Sequence, residues 1–278
     1  MGNRAFHALP EAQRVVCWRI AWTGRDTGGA ASRCVDGLGG VMEVHSRVVL
    51  DELPLEEMTP AWLITVVRPF LEEMGRVRMD ARSRLEIDPL GRLTELRSTV
   101  SLGEMEDAIK MSGHVENSYL KLQVRSGSLE YNTRQFLPSD GLVGNELSPQ
   151  AELPNLRLGQ TWTTPVFSPF RPNSPPDILE AKVVGQEAMV WNGESAKTWL
   201  VEYRLDPGAG VGAGDTPRAR LWVHLDGMVL KQEVQILKSR MQFIRMSDED
   251  SAPLVAELSE DWLSRMNEKS PAPDEETP

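Results

Sequence analysis

The alternation of apolar and polar side chains is strongest in residues 218–237, where two alternating runs flank Asp226-Gly227. An Asp-Gly pair between alternating runs is the strongest short-range signal of a β-hairpin. A two-residue turn there leaves one face of the ribbon apolar except for Gln232. The cross-strand pairs predicted by this register are Ala219–Val234, Arg220–Glu233, Trp222–Lys231, Val223–Leu230, His224–Val229 and Leu225–Met228.

Residues 76–87 alternate without interruption and predict a second long strand. Its apolar face carries Val77, Met79, Ala81, Ser83, Leu85 and Ile87. Its polar face carries Arg76, Arg78, Asp80, Arg82, Arg84 and Glu86. Further runs bounded by turn residues predict strands at 13–23, 41–50, 96–102, 109–116, 119–125, 129–136, 161–167, 178–191, 198–205 and 241–246. The fold class predicted by this pattern is mainly β, with antiparallel connections.

Two segments break the alternation and predict helices. At residues 60–74, Thr59-Pro60 suits a helix N-terminus, and the apolar positions recur at helical spacing on nearly every side. This helix should therefore be buried against the sheet. At residues 251–267, Ser251 can cap an amphipathic helix whose single stripe comprises Leu254, Leu258, Trp262 and Met266.

The domain organisation follows from these elements. We expect a flexible N-terminus at 1–12, one sheet domain at 13–246, the C-terminal helix at 251–267 and a disordered acidic tail at 268–278. The Pro-, Gly- and Ser-rich stretch 138–176 is a long connection and not a domain boundary, because neither side has enough strands to close alone.

The charge distribution excludes some functions. The formal net charge is −11, and residues 248–278 contribute −8 of it through ten acids and two bases, which leaves a mildly acidic body. Nucleic-acid binding requires clustered Lys and Arg, so a nucleic-acid partner is not expected. No run reaches the roughly 18 apolar residues of a transmembrane segment, and residues 1–13 lack the apolar core of a signal peptide.

The two cysteines, Cys17 and Cys34, would face each other if the chain turned at Arg25-Asp26. A cross-strand disulfide is then one interpretation, and two separate buried thiols is the favoured one. Without nearby histidines they do not form a metal site.

No catalytic constellation emerges from the sequence. The glycine run 208–214 precedes a strand and lacks a closing Lys-Ser or Lys-Thr pair, so it is a flexible loop and not a phosphate loop. Ser118 and Lys121 have the spacing of a serine–lysine nucleophile, but in a strand they point to opposite faces. The four histidines are scattered singly. We therefore predict a protein that is not an enzyme and that needs no cofactor or metal.

Several short motifs are shared with a known group of proteins. They are Trp18-Arg19-Ile20, 24–28, Gly159-Gln160-Thr161-Trp162, 185–187, 193–199, Trp222-Val223 and 226–233. In these motifs the chain resembles the β-rich N-terminal domain of bacterial secreted transglutaminase-like proteins, which is related in shape to lipoprotein-localisation factors. The resemblance covers roughly residues 13–246. It implies a strongly curved antiparallel sheet, or half-barrel, around helical material, and a periplasmic or extracytoplasmic location, with the cytoplasm as the alternative. No catalytic residue is carried over, because no Cys-His-Asp hydrolase domain follows.

The leading functional hypothesis is a non-enzymatic envelope binding module that holds a lipid, an acyl chain or an apolar peptide. The alternative is a structural or interaction domain with a packed interior, whose partner could be another envelope protein. An anionic group could bind Arg76, Arg78, Arg82 and Arg84, although a solvated strand face is the favoured interpretation of these arginines. The residues expected to face an apolar ligand are Trp62, Leu63, Val67, Phe70, Leu71, Leu221, Val223, Leu230, Gln232 and Val234.

Overall fold

The computed structural model describes residues 15–53, 77–136, 149–166, 177–205, 216–236 and 239–256. The expected helix 60–74, the N-terminus 1–12 and the tail 268–278 lie outside these residues. Fourteen strands form one antiparallel sheet. They are β1 (Val16–Trp22), β2 (Arg25–Asp36), β3 (Met42–Leu53), β4 (Val77–Ile87), β5 (Leu93–Leu102), β6 (Met105–Glu116), β7 (Tyr119–Ser126), β8 (Leu129–Phe136), β9 (Thr161–Val166), β10 (Asp177–Trp191), β11 (Glu194–Leu205), β12 (Ala219–His224), β13 (Val229–Ile236) and β14 (Ser239–Arg245).

The sheet consists of two meanders joined by one long-range pair. Strands β1 to β8 neighbour each other in sequence order, and so do β9 to β14. Strand β1 then pairs with β14, from Trp18 opposite Arg245 to Trp22 opposite Met241. Among the described strands, β8 and β9 form the two edges, so the sheet is not closed. The predicted mainly β fold, a curved antiparallel half-barrel, is confirmed.

One face of the sheet, called the inner face below, carries the main buried cluster, and the opposite face is called the outer face. On β4 the inner positions Val77, Met79, Ala81 and Ile87 are all buried, as the alternation of 76–87 predicts. The cluster extends from Trp18 on β1 around to Val124 on β7 and Leu179 on β10. Burial of these apolar side chains, each contributing about 1.5–3 kcal/mol when large, is what the alternating sequence encodes.

The β12–β13 hairpin confirms most of the predicted register and corrects its turn. Four pairs, from Ala219–Val234 to Trp222–Lys231, form as expected. Beyond them a bulge intervenes, and Val223 lies opposite Val229 instead of Leu230. The reason is a wider turn in which the Gly227 N–H donates to His224 O at 2.9 Å while Gly227 adopts φ 102°. The predicted pairs Val223–Leu230, His224–Val229 and Leu225–Met228 are therefore wrong, and Leu225 is exposed.

The β1–β2 hairpin turns two residues earlier than expected, at Thr23-Gly24, where both residues have positive φ. This register places Cys17 opposite Ala31, so the alternative in which Cys17 faces Cys34 is wrong and the favoured interpretation, two separate buried thiols, is confirmed. Three residues separate Ala31 from Cys34, and the two cysteines therefore lie on opposite faces of the sheet. Both are free, buried thiols, and burial raises the pKa of Cys17 to about 11 and that of Cys34 to about 12.

Residues 248–256 form a helix, α1, that covers part of the outer face. It begins three residues before the predicted start, because Ser247 and not Ser251 provides the cap: Ser247 Oγ accepts from Asp250 N at 3.0 Å. Leu254 and Val255 pack on a small cluster formed by Cys17 and Ala31. Within the described part of the chain, no helix is long and apolar enough to span a membrane.

Gly28 lies where β2 approaches β3 most closely, and a Cβ there would stand 1.9 Å from Val49 O with φ at +155°. We expect Gly28→Ala to lower the free energy of unfolding by roughly 3 kcal/mol or more, because backbone must move. Gly185→Ala, where an added Cβ meets nothing within 4 Å, is the control and should change it by less than about 1 kcal/mol. Urea unfolding of both variants measures this, and equal stabilities would contradict the close approach.

Candidate functional site

A row of hydroxyl groups crosses the inner face of strands β2 to β5. Ser32 lies opposite Ser46, Ser46 opposite Ser83, and Ser83 opposite Ser98. Ser32, Ser46 and Ser98 are each less than 9% exposed. Ser46 Oγ and Ser83 Oγ are 2.6 Å apart and share a hydrogen bond. Four adjacent strands thus present one hydroxyl each at the same level of the sheet.

Apolar rows flank these four residues, called the serine row below, on both sides. On the side of the serine row nearer to the β1–β2 turn, the four strands carry a row of small or branched side chains. The next positions in the same direction are Leu50, Met79 and Leu102. Toward the other end, they place a second row that contains no charge. Because directly opposite side chains are about 4.5–5.5 Å apart, the result is a polar stripe inside an apolar surface. The near row is Ala30, Val48, Ala81 and Val100, and the far row is Cys34, Val44, Leu85 and Leu96.

Trp18 extends this surface onto β1, where it lies opposite Ala30. Its side chain is fully buried, and its indole Nε1 has no hydrogen-bond partner in the described part of the chain. The Arg245 guanidinium lies 5.8 Å from the ring centroid. A buried donor without a partner costs about 1–3 kcal/mol. The Trp18 indole N–H is therefore a hydrogen-bond donor on the inner face that an acceptor on a ligand would stabilise.

The other half of the inner face is occupied by the chain itself. Residues 149–160, called the inner segment below, pass beneath the β12–β13 hairpin. Leu153 is 0% exposed within the main cluster, and its N–H donates to Gly227 O at 2.7 Å. Val229 N donates to Ala151 O at 3.1 Å, and Arg245 Nη1 donates to the same carbonyl at 2.9 Å. This part of the interior is packed with protein.

Gln232, the single polar residue expected on the hairpin's inner face, holds the inner segment. Its side chain is 8% exposed, and Oε1 accepts a hydrogen bond from Gln150 N at 2.9 Å. The other expected ligand-facing residues of the hairpin are also buried: Leu221, Val223 and Val234 in the main cluster, and Leu230 at the bulge. The helix candidates Trp62, Leu63, Val67, Phe70 and Leu71 lie outside the described residues, as does Arg76.

Three of the arginines expected to meet an anion, Arg78, Arg82 and Arg84, lie among the described residues on the outer face, and each has a carboxylate nearby. Arg82 Nη2 is 3.1 Å from Asp80, and Arg84 Nη2 contacts Glu43 at 2.7 Å and Glu86 at 2.9 Å. Arg78 is the most exposed of them and lies 3.9 Å from Asp51. Whether an external anion binds these arginines stays a prediction, but their nearest charged partners belong to the chain.

Arg47, which the sequence did not single out, anchors this outer network. Its side chain is only 8% exposed and donates from Nε and Nη2 to Asp80, at 3.0 and 2.7 Å for the closest contacts. Burial alone would raise the pKa of Asp80, but the hydrogen bonds from Arg47 and Arg82 hold it below its usual value. Burial likewise acts to raise the pKa of Glu43, and His45 and Arg84 hold it low.

The serine row was also missed, because its members are far apart in sequence. Only Ser83 was placed on an apolar strand face by the alternation. In each of the four strands, a serine occupies a position that the alternation assigns to the apolar face. These serines can be recognised as one row only when the registers of the three strand pairs from β2 to β5 are known. The described residues contain no group of three or more metal-binding side chains.

The low pKa of Asp80 makes a pH-dependent prediction. The carboxylate contributes stability that is fully present above its unfolded pKa of about 3.9 and is lost as the pH falls through the lower folded pKa. Asp80→Asn should therefore cost about 2 kcal/mol near neutral pH, since the buried Arg47 loses its ion pair with the Asp80 carboxylate. The difference from wild type should vanish at strongly acidic pH. Denaturant unfolding at several pH values measures it.

Asp51→Asn is the matched control for that substitution. Asp51 is 68% exposed and lies 3.9 Å from Arg78, so its loss should change stability little at any pH. Equal effects of Asp80→Asn and Asp51→Asn would contradict the anchoring role of Arg47.

Gln232→Leu should release the inner segment, because Gln150 N–H loses its acceptor. We expect a loss of about 1–2 kcal/mol and faster amide hydrogen exchange at Gln150 and Leu153. Gln186→Leu, at an exposed position of β10, is the control. Unchanged exchange at Gln150 in Gln232→Leu would show that this contact does not hold the segment.

Comparison with known proteins gives similarity in structure only. A β-barrel-like protein of domain of unknown function DUF1849 from Brucella abortus is similar with a TM-score of 0.48 and 10% identity, covering 86% of this chain and 98% of that one. A DUF1089 family protein from Pseudomonas aeruginosa is similar with a TM-score of 0.38 and 15% identity, covering 78% and 93%. No protein-family model and no curated protein matches the chain.

Proposed function

We propose that the chain is a non-enzymatic binding module whose inner face, at strands β2 to β5, holds a neutral amphiphilic molecule. The single observation that carries the proposal is the serine row between two apolar rows. Ser46 and Ser83 form one hydrogen bond with each other, which leaves one O–H donor on the accepting serine and acceptor capacity on both oxygens. An acyl chain along the apolar rows and a hydroxyl or carbonyl group at the serine row fit this surface.

The absence of charge on these three rows favours a neutral polar group. Their twelve positions carry only Ser, Ala, Val, Leu and Cys. A carboxylate or phosphate buried there would lack a cationic partner, and burial of an unpaired charge is costly. The indole Nε1 of Trp18, next to Ala30, also favours a neutral ligand, because it is a neutral hydrogen-bond donor with no acceptor among the described residues.

The location that we propose for this module is the bacterial cell envelope. The support is the sequence resemblance to the β-rich domains of secreted proteins described above. An apolar peptide is a second ligand class that the apolar rows could accommodate, with its backbone carbonyls at the serine row.

A structural or interaction domain with a packed interior is the second candidate. The observation in its favour is the inner segment, which fills the half of the inner face beneath the β12–β13 hairpin with Leu153 and its hydrogen bonds. Under this alternative, the surface around the serine row is also covered by the chain, and no ligand enters.

The test is titration with a fluorescent monoacylglycerol, alongside a fluorescent fatty acid of the same chain length. We expect saturable binding of the neutral probe and binding about tenfold weaker for the anionic one, since the three rows carry no cation and the Arg245 guanidinium beside Trp18 already donates to Ala151 O. Native mass spectrometry of the gently purified protein checks for a retained ligand. No saturable binding of either probe would overturn the proposal and favour the packed domain.

Ser46→Val with Ser83→Val tests the serine row itself. The double substitution removes both hydroxyls and adds apolar methyl groups, so it should weaken monoacylglycerol binding by about tenfold, and urea unfolding checks that the fold is kept. Ser112→Val is the control, because Ser112 is exposed on the outer face of β6. Unchanged binding in the double variant would remove the serine row from the site.

A further inference from the structure

Strand β8 is a free edge of the sheet. Among the described strands it pairs only with β7, from Tyr119 opposite Phe136 to Ser126 opposite Leu129, without a register shift. A strand of eight residues therefore has hydrogen-bonding groups on one side that no described strand uses. Such an edge is a template for pairing with another chain.

Most devices that protect an edge strand are missing from β8, whose charged side chains are Glu130 and Arg134 alone. It contains no proline, no glycine, no lysine and no bulge. The other edge, β9, is shorter and carries Pro165. Large apolar side chains are exposed at both ends of β8, with Leu129 at 57% and Phe136 at 55%. These features indicate a surface that is used for contact.

The charge pattern of β8 is self-complementary about its centre. Its outer-face positions are Glu130, Asn132, Arg134 and Phe136. If a second copy of β8 runs antiparallel beside the first with Asn132 on the twofold axis, Glu130 lies opposite the partner's Arg134. The same pairing occurs again on the other side of the axis.

Contacts within the chain hold the side chains of Arg134 and Glu130 on the outer face of β8. The Arg134 guanidinium lies 4.0 Å from the centroid of the Tyr119 ring. The hydrogen bond from Lys121, helped by the charge of Arg134, lowers the pKa of Glu116. Tyr119 packs edge-on against Phe136, with centroids 5.7 Å apart. Glu130 accepts hydrogen bonds from Gln123 at 2.8 Å and Asn132 at 3.2 Å, lies 3.2 Å from Arg125 Nε, and is 45% exposed.

We infer that β8 is the interface of a homodimer, in which two copies of this chain pair antiparallel through their β8 strands. The ladder continues the sheet across the twofold axis, with two Glu130–Arg134 contacts between subunits. On the inner face, Tyr131 lies opposite the partner's Thr133. The contact is small, so the dimer is weak and reversible, with a Kd roughly in the micromolar range. It is independent of any ligand on the inner face.

Pairing of β8 with β9 of another copy is the competing arrangement. It would be head-to-tail and would not close, so it would produce chains of increasing length. The twofold arrangement instead stops at two subunits, and the two are distinguishable by sedimentation.

Analytical ultracentrifugation of the full chain provides the first test. The wild type should show a concentration-dependent monomer–dimer equilibrium. Glu130→Lys or Arg134→Glu should weaken it by at least about tenfold, because each places two like-charged pairs across the axis. The double variant should recover dimerisation. Glu95→Lys, on the outer face of the internal strand β5, is the matched control and should dimerise like the wild type.

A monomeric wild type at all concentrations, or oligomers larger than two, would overturn the inference. The inference would also be overturned if the double variant dimerised no more strongly than the single variants while its unfolding midpoint equalled that of the wild type.

Disulfide cross-linking tests the register without depending on charge. Asn132→Cys places two thiols directly opposite across the axis, within disulfide reach, so oxidation should give a covalent dimer. Ser112→Cys, equally exposed but on the internal strand β6, should stay monomeric. Cys17 and Cys34 are buried and do not compete. Equal cross-linking of both variants, or none in Asn132→Cys, would contradict the β8 interface.

Discussion

The pairing of β1 with β14 is the contact on which the rest of this structure depends. It joins the first described strand of the sequence to the last one, and without it the two meanders would be separate sheets. The pairing places Trp18 beside Arg245, whose guanidinium in turn reaches the carbonyl of Ala151 in the inner segment. One strand pair therefore fixes both the continuity of the sheet and the position of the segment that fills half of its inner face. Long-range pairs of this kind are costly in loop-closure entropy, and on β1 every residue except Arg19 is buried.

The inner face divides into two halves with different chemistry. Beneath the β12–β13 hairpin, Leu153 and the Gln150–Gln232 hydrogen bond leave the chain packed against itself. Across β2 to β5, the serine row and its apolar neighbours form a surface on which the hydroxyls and the Trp18 indole N–H keep hydrogen-bonding capacity that the described residues do not use. The outer face differs from both halves of the inner face because it carries charged side chains, among them the buried Arg47, which forms an ion pair with Asp80. Binding chemistry is thus best sought on the inner face, and contacts with other proteins at the free edge β8.

Much of the fold could be predicted from the sequence, because alternation is a local signal. The strand 76–87 and four pairs of the β12–β13 hairpin follow directly from it. The turns could not be predicted as well: Asp-Gly suits both a two-residue turn and the wider turn with a bulge at Gly227, and only packing against Pro154 decides between them. The first hairpin likewise turns at Thr23-Gly24 and not at the expected Arg25-Asp26, which separates Cys17 from Cys34. The serine row, Arg47 and the inner segment depend on register between distant strands, which one sequence does not reveal.

The most direct test of the proposed binding face is the indole N–H signal of Trp18 in two-dimensional NMR spectra, assigned by comparison with Trp18→Phe. Titration with an unlabelled monoacylglycerol should shift this signal in a saturable manner, because the unpartnered Nε1 gains an acceptor as the ligand occupies the inner face. The signals of Trp191 and Trp222, whose indole N–H groups already donate to Arg245 O and Glu187, should stay in place. Binding that shifts those signals and leaves Trp18 unchanged would contradict the account.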